Sequence, residues 1–155
     1  MAKKTYNEKL MDSKDMPKIV EIVDPKEILK HGGTKLLIAP PLAYDEIMKS
    51  VPEKMIITSE AIRAYLANKF GAHNTCPLTA GIFINIVAHA SSERVLDETP
   101  YWRTLKKDGE LNEKYPEGID GQKQRLESEG HVIIQKGKRL FVKDYIKYML
   151  DLSSL

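Results

Sequence analysis

Apolar and polar positions alternate along this chain in short segments of two periods. Lys35-Leu36-Leu37-Ile38-Ala39 is an apolar run stopped by Pro40-Pro41, which predicts a buried strand, and a helix follows from about Leu42 to Ser50, ending before Pro52. Thr58 or Ser59 can cap the next helix, with Glu60 near its positive end. Ile62, Leu66 and Phe70 form its apolar face before Gly71 stops it. A turn through His73-Asn74-Thr75 leads to Pro77, a good first helical residue, and the helix to about Ala90 sets Leu78, Ile82, Ile86 and Ala90 on one side. Arg94 to Gly118 reads as mostly loop, and Asp120 to Glu129 as a helix closed by Gly130. His131 to Gln135 and Arg139 to Val142 flank Lys136-Gly137-Lys138, the pattern of a β-hairpin with a basic tip. The tail from Lys143 to Leu152, with Tyr145, Ile146, Met149 and Leu150, predicts an amphipathic helix. Residues 1–33 are polar, punctuated by Pro17 and Pro25, and read as an extension with one short helix at Pro25 to Lys30.

Composition narrows the class. With 155 residues, 42% hydrophobic and 30% charged, the chain can bury one proper core but not two. It has no apolar run of about 18 residues, and its start lacks the apolar centre of a signal peptide, so the expectation is a cytoplasmic protein without a membrane partner. The single cysteine, Cys76, excludes an internal disulfide. His31, His73, His89 and His131 show no ligand spacing with it, so neither metal nor cofactor is expected. A net charge of +2 argues against a strongly basic nucleic-acid binder, so any DNA contact must come from a local patch.

The stretch Thr99-Pro100-Tyr101-Trp102-Arg103-Thr104 carries the chemistry. It resembles the Pro-Cys-His-Arg-Val motif of the O6-alkylguanine-DNA alkyltransferases (methylated-DNA-protein-cysteine methyltransferases), with Tyr101 in place of the acceptor cysteine and Trp102 in place of the histidine. The flanks extend the resemblance. Tyr44 to Met48 with Val51-Pro52, and Ile56 to Ile62, are similar to the family's first helix, its turn and its next helix start. Lys107 to Leu111, Lys114 to Ile119 and Leu126 to Gly130 are similar to its closing loop and last helix. The match spans about residues 41–130, in order and with similar spacing.

The resemblance implies a mainly helical fold with a small β component, a winged helix-turn-helix of the alkyltransferase C-terminal type. It also implies three parts: an N-terminal extension at 1–40, the alkyltransferase-like domain at 41–130, and a C-terminal hairpin and helix at 131–155. In the family the thiolate attacks the alkyl carbon of a guanine flipped out of the duplex, with a histidine and a glutamate activating it. Glu129 matches that glutamate and Arg103 the motif arginine, but the nucleophile is missing. A tyrosine hydroxyl, with a pKa of about 10, is a poor substitute. Tyr101 and Trp102 suit stacking on a base, a contact of roughly 1–3 kcal/mol; equally, the two rings can fill the emptied pocket.

The implied function is that of the alkyltransferase-like proteins: non-enzymatic binding of alkylated guanine in duplex DNA, without alkyl transfer, with a repair-protein partner. Pro100, Tyr101, Trp102, Arg103 and Tyr115 are the implied base-pocket residues. Thr79 aligns with the arginine that replaces the flipped base, and Ser59 with the phosphate-rotating tyrosine. Lys106 and Lys107 after the motif, and Lys136, Lys138 and Arg139 at the hairpin tip, are candidate phosphate contacts or a solvated face. Between Gly71 and Ser92 there is no Lys or Arg, and Gly81-Ile82-Phe83-Ile84 reads as buried nearly all round or as a surface for another protein. The alternative function is therefore a protein-interaction or small-ligand module on the same scaffold. A third reading, an enzyme using Tyr101 or a relocated Cys76 nucleophile, predicts a covalent adduct.

Overall fold

Three helices build the centre of the molecule, and local signals start and stop each of them. The structure, a computed structural model, describes residues 3–154, so of the ranges 1–40 and 131–155 residues 1, 2 and 155 lie outside the described ones. Helix α3 (Pro41–Lys49) and helix α5 (Pro77–Glu93) each open on a proline, whose missing N–H costs nothing in the first turn. Helix α4 (Ser59–Phe70) is capped by the Thr58 hydroxyl, which accepts from the Ala61 amide, and ends at Gly71 in the left-handed conformation at φ 72°. Tyr44, Ile47 and Met48 of α3, Ile62 and Leu66 of α4, and Ile84, Val87 and Ala88 of α5 meet in one core. Each large side chain buried there is worth about 1.5–3 kcal/mol.

The N-terminal segment is more ordered than its polarity predicts. Residues 1–33 were expected to hold only one short helix, α2 (Pro25–His31) as observed, yet α1 (Tyr6–Met11) and β1 (Lys18–Glu21) precede it. The amides of Tyr6 and Asn7 donate to the Glu93 carboxylate at 3.0 and 3.1 Å, the Asn7 side-chain amide donates to the Ala90 carbonyl, and Leu10 is buried against α5. Strand β1 pairs antiparallel with β2 (Lys35–Ile38), which pairs parallel with β4 (Asn74–Thr75). All four β1 residues are exposed, so the ladder holds that strand rather than burial, and no apolar alternation announces it.

Two further expectations are corrected. The stripe Leu78, Ile82, Ile86, Ala90 is not one uniform face: Ala90 lies in the core and Ile86 packs against it, but its first half turns outward. Leu78 and Ile82 are 73% and 49% exposed, while Ala80, Ile84, Val87, Ala88 and Ser91 turn inward. Helix α5 is apolar on most sides, so its sequence cannot select the face; packing on α1, α3 and α4 does. Its first half is accordingly not buried all round.

The tail is not an α-helix either. A 3-10 turn at Tyr145–Tyr148 gives way to extended chain, in which the Ile56 amide donates to the Tyr148 carbonyl and the Leu150 amide to the Ile56 carbonyl, both at 2.9 Å; a second 3-10 turn covers Leu152–Ser154. Pairing with Ile56 takes the backbone groups that a helix would have used. The hairpin stands as predicted, with β6 (Ile133–Lys136) antiparallel to β7 (Arg139–Val142). Helix α6 (Gly118–Ser128) precedes it. Within the loop from 94 to 118, β5 (Thr104–Leu105) pairs parallel with β3 (Ile57–Thr58), so the motif is tied to the start of α4.

Candidate functional site

The motif loop is anchored at both ends by buried polar pairs. Thr99 is fully buried: its amide donates to the Ser91 hydroxyl at 2.8 Å, and its own hydroxyl donates to Asp45 at 2.6 Å. A 3-10 turn over Tyr101–Arg103 follows. The Trp102 indole N–H then donates to Glu129 Oε2 at 2.9 Å. Arg103 grips the same carboxylate through Nε at 3.0 and 3.1 Å and Nη2 at 2.8 Å, while its Nη1 reaches the Val51 carbonyl. The Lys54 amide adds a further donor at 3.2 Å. Burial pushes the Glu129 carboxyl up, but Arg103, Trp102 and the Lys54 amide outweigh it and hold the group below its ordinary carboxylate value. Glu129 thus clamps the loop through Trp102 and Arg103.

The aromatic residues pack together rather than lie open. Tyr101 meets Trp102 and Tyr115 edge-on at 5.4 and 5.2 Å, and the Arg125 guanidinium sits 4.5 Å above the Trp102 ring. Tyr101, Trp102 and Tyr115 are 3%, 6% and 3% exposed. Burial raises the Tyr101 hydroxyl above its usual pKa and so keeps the phenol protonated. The Tyr115 hydroxyl donates to the Thr104 carbonyl at 2.8 Å.

Beside this cluster lies a cavity of about 310 Å³, near the lower end of small-ligand pockets. Its wall is made by Ser59 at the start of α4, Gly81, Ile84 and Asn85 of α5, Thr104 and Leu105 of β5, and the loop carrying Lys106, Lys107 and Asn112 to Tyr115. Of the residues singled out from the sequence, Ser59, Lys106, Lys107 and Tyr115 border it. Tyr101, Trp102, Arg103, Pro100 and Thr79 do not; Tyr101 packs edge-on against Tyr115, Trp102 and Arg103 bond to Glu129, and the Thr79 hydroxyl donates to the Cys76 carbonyl. Gly81, Ile84, Asn85, Thr104 and Asn112 were missed. Thr104 closes the motif stretch itself, and that position was its one legible signal. Cys76, the residue preceding α5, is partly buried and off this wall.

The charges near the cavity divide into engaged and open ones. Lys106 pairs with Glu113 at 3.3 Å, and Arg139 holds Glu110 at 2.6 and 3.0 Å, so the hairpin tip is strapped to the motif loop. Lys136, Lys107, Lys114 and Lys138 are all exposed, Lys136 with its ammonium over the Phe141 ring. Among the described residues no group of three or more potential metal ligands comes together, and no helix is long and apolar enough to cross a membrane.

His131, next to the clamp, is buried with neither ring nitrogen hydrogen-bonded, and burial lowers its pKa against the opposing pull of Glu129. The unfolded chain therefore binds a proton at a higher pH than the folded one does. Stability contributed by neutral His131 is complete above about pH 6.5 and is lost as pH falls below it. Thermal unfolding between about pH 7.5 and 5.5 should show this slope, and His131→Phe should flatten it; an equal slope in the variant would exclude His131 as its source.

No protein-family model and no curated protein sequence matches the chain. Solved structures of alkyltransferase-like proteins on DNA resemble it in fold. One is S. pombe Atl1 in complex with damaged DNA containing O6-carboxymethylguanine, at 20% identity and a TM-score of 0.53. Another is the S. pombe alkyltransferase-like protein, ATL, in complex with DNA, at 20% identity and a TM-score of 0.54. Each likeness covers 72% of this chain and 94% of that one. Nearly the whole of the smaller S. pombe fold is therefore present here, mainly helical with small sheets, with further segments added.

Proposed function

We propose that this chain is an alkyltransferase-like protein that binds duplex DNA and recognises alkylated guanine without removing the alkyl group, its body at 41–130 acting as a winged helix-turn-helix. One observation carries the reading: the 310 Å³ cavity opens between the start of α4, helix α5 and the strand that leaves the motif, with the exposed Lys107 and Lys114 at its edge. Two lysines at the edge of a base-sized recess suit phosphates on either side of a displaced nucleotide. The fold shared with proteins solved on DNA supports the same assignment. Tyr115 forms the aromatic wall, while Tyr101 and Trp102 act from behind it by holding the loop.

Non-transfer follows from the site's chemistry. The motif offers a protonated phenol at Tyr101 instead of a thiolate, and Glu129 is occupied by Arg103 and Trp102. Gel-shift titration against duplexes with and without O6-methylguanine tests the reading: tighter binding of the modified duplex is expected, and equal or absent binding would overturn it. The protein's mass should be unchanged after that incubation; a gain of one methyl group would refute the non-transfer assignment.

A second reading rests on the exposed Leu78 and Ile82 in a helix without Lys or Arg, which suits an apolar protein partner. Salt separates the two. Phosphate contacts make affinity fall steeply with ionic strength, whereas an apolar interface is nearly indifferent to it.

A further inference from the structure

Charge is unevenly placed along this chain. Residues 133–149, the β6–β7 hairpin and the turn after it, hold Lys136, Lys138, Arg139, Lys143 and Lys147 against the single carboxylate of Asp144, a net +4. The whole chain carries +2, so everything outside this segment sums to −2. All five cations are exposed. Arg139 is engaged by Glu110, whereas the four lysines form no ion pair among the described residues. Grouped like charges repel one another, so this arrangement is unfavourable within the free protein; a bound polyanion reverses the sign.

The hairpin is held in a fixed place beside the candidate site. Arg139 grips Glu110 at 2.6 and 3.0 Å, and the Leu111 amide donates to the Leu140 carbonyl at 3.0 Å, so β7 is bonded to the loop that edges the cavity. Lys138 and Arg139 share a surface recess with Lys106 and Glu113, and those last two residues also border the cavity. One surface therefore leads from Lys107 and Lys114 at the cavity edge, past Lys106, to the tip of the hairpin.

We infer that residues 133–149 form a second phosphate-binding surface, which takes the backbone of the duplex beside the displaced nucleotide through the tip lysines Lys136 and Lys138. Contacts to phosphate carry no information about the base, so this surface supplies affinity for DNA of any kind while the cavity supplies the preference for the modified base. Arg139, already bound to Glu110, anchors the tip instead of reaching the DNA. The inference rests on the DNA-binding reading above and adds to it an interaction surface outside residues 41–130.

Lys136→Ala combined with Lys138→Ala tests it, beside Lys26→Ala combined with Lys30→Ala, which removes the same charge from the exposed positions of α2. Affinities of both variants and of the unaltered protein for an O6-methylguanine duplex and its unmodified counterpart are measured over a range of salt concentrations. The hairpin variant is expected to bind both duplexes about 10- to 30-fold more weakly at about 0.15 M salt, with the salt exponent reduced by about 2 and the ratio between the duplexes unchanged. The α2 variant should follow the unaltered protein. An unchanged exponent in the hairpin variant overturns the inference and leaves the DNA-binding reading intact. An equal effect in the α2 variant overturns it too, because net charge would then be the cause, and so does a loss confined to the modified duplex. Weakened binding of the hairpin variant to phosphatidylserine vesicles, with DNA affinity unaltered, would assign the surface to lipid headgroups and overturn it as well. If the unaltered protein binds both duplexes equally and the hairpin variant still lowers the exponent, lesion recognition fails and this inference stands. Binding to neither duplex overturns both.

Discussion

Glu129→Ala should lower the unfolding temperature by about 6–20 °C. The side chains of Glu129 and Arg103 are 7% and 14% exposed, so deleting the carboxylate strands a guanidinium and an indole N–H in the interior. Breaking a buried pair by removing one partner costs about 3–5 kcal/mol, and in a chain of this length each kcal/mol shifts the midpoint by about 2–4 °C. Replacing both partners distinguishes a stranded charge from lost packing: Glu129→Ala combined with Arg103→Leu should recover much of the loss. A fall of less than about 3 °C for Glu129→Ala would show that this carboxylate does not hold the loop. The clamp also has a pH signature. The Glu129 carboxyl titrates lower in the folded protein than in the unfolded chain, so its contribution is present above the unfolded value of about 4.3 and disappears as pH falls through the folded one.

Gly81→Phe should remove the preference for alkylated DNA while the protein remains folded. Glycine inside a helix costs about 0.5–1 kcal/mol relative to alanine, and a Cβ built at Gly81 meets nothing within 4 Å, so packing within the protein does not require it. Gly81 instead borders the cavity, where its lack of a side chain leaves room for whatever enters. Gly81→Ala should stabilise the fold by about 0.5–1 kcal/mol, and Gly81→Phe should reduce affinity for the modified duplex by roughly 10- to 100-fold, or about 1.4–2.7 kcal/mol. An unfolding temperature for Gly81→Phe close to that of the unaltered protein would exclude misfolding as the cause of the lost affinity. Unaltered preference in Gly81→Phe would place the base elsewhere.

The stretch from Thr99 to Thr104 was legible in the sequence as the centre of the candidate site. Pro100, Arg103, Tyr115 and Glu129 were singled out from the sequence, and the structure brings Arg103 and Glu129 into contact and sets Tyr115 beside the cavity. What Tyr101 and Trp102 do there was open between lining the pocket and filling it. Their rings proved to be buried against Tyr115 and Arg125, a matter of which surfaces close over them.

The chain alone determined where α3, α4 and α5 begin, where α4 ends and where the hairpin turns, since Pro41, Thr58, Gly71, Pro77 and Gly137 act on backbone groups within a turn of themselves. Tertiary structure decided which face of α5 points outward, that β1 and α1 are ordered, that the tail pairs with Ile56, and that a cavity remains beside Thr104. Each of those depends on groups distant in sequence coming together, as Asn7 does with Glu93 and Arg103 with Glu129. Such contacts leave no periodicity behind, because the free energy that selects them arises only when both partners have lost water to the same interior.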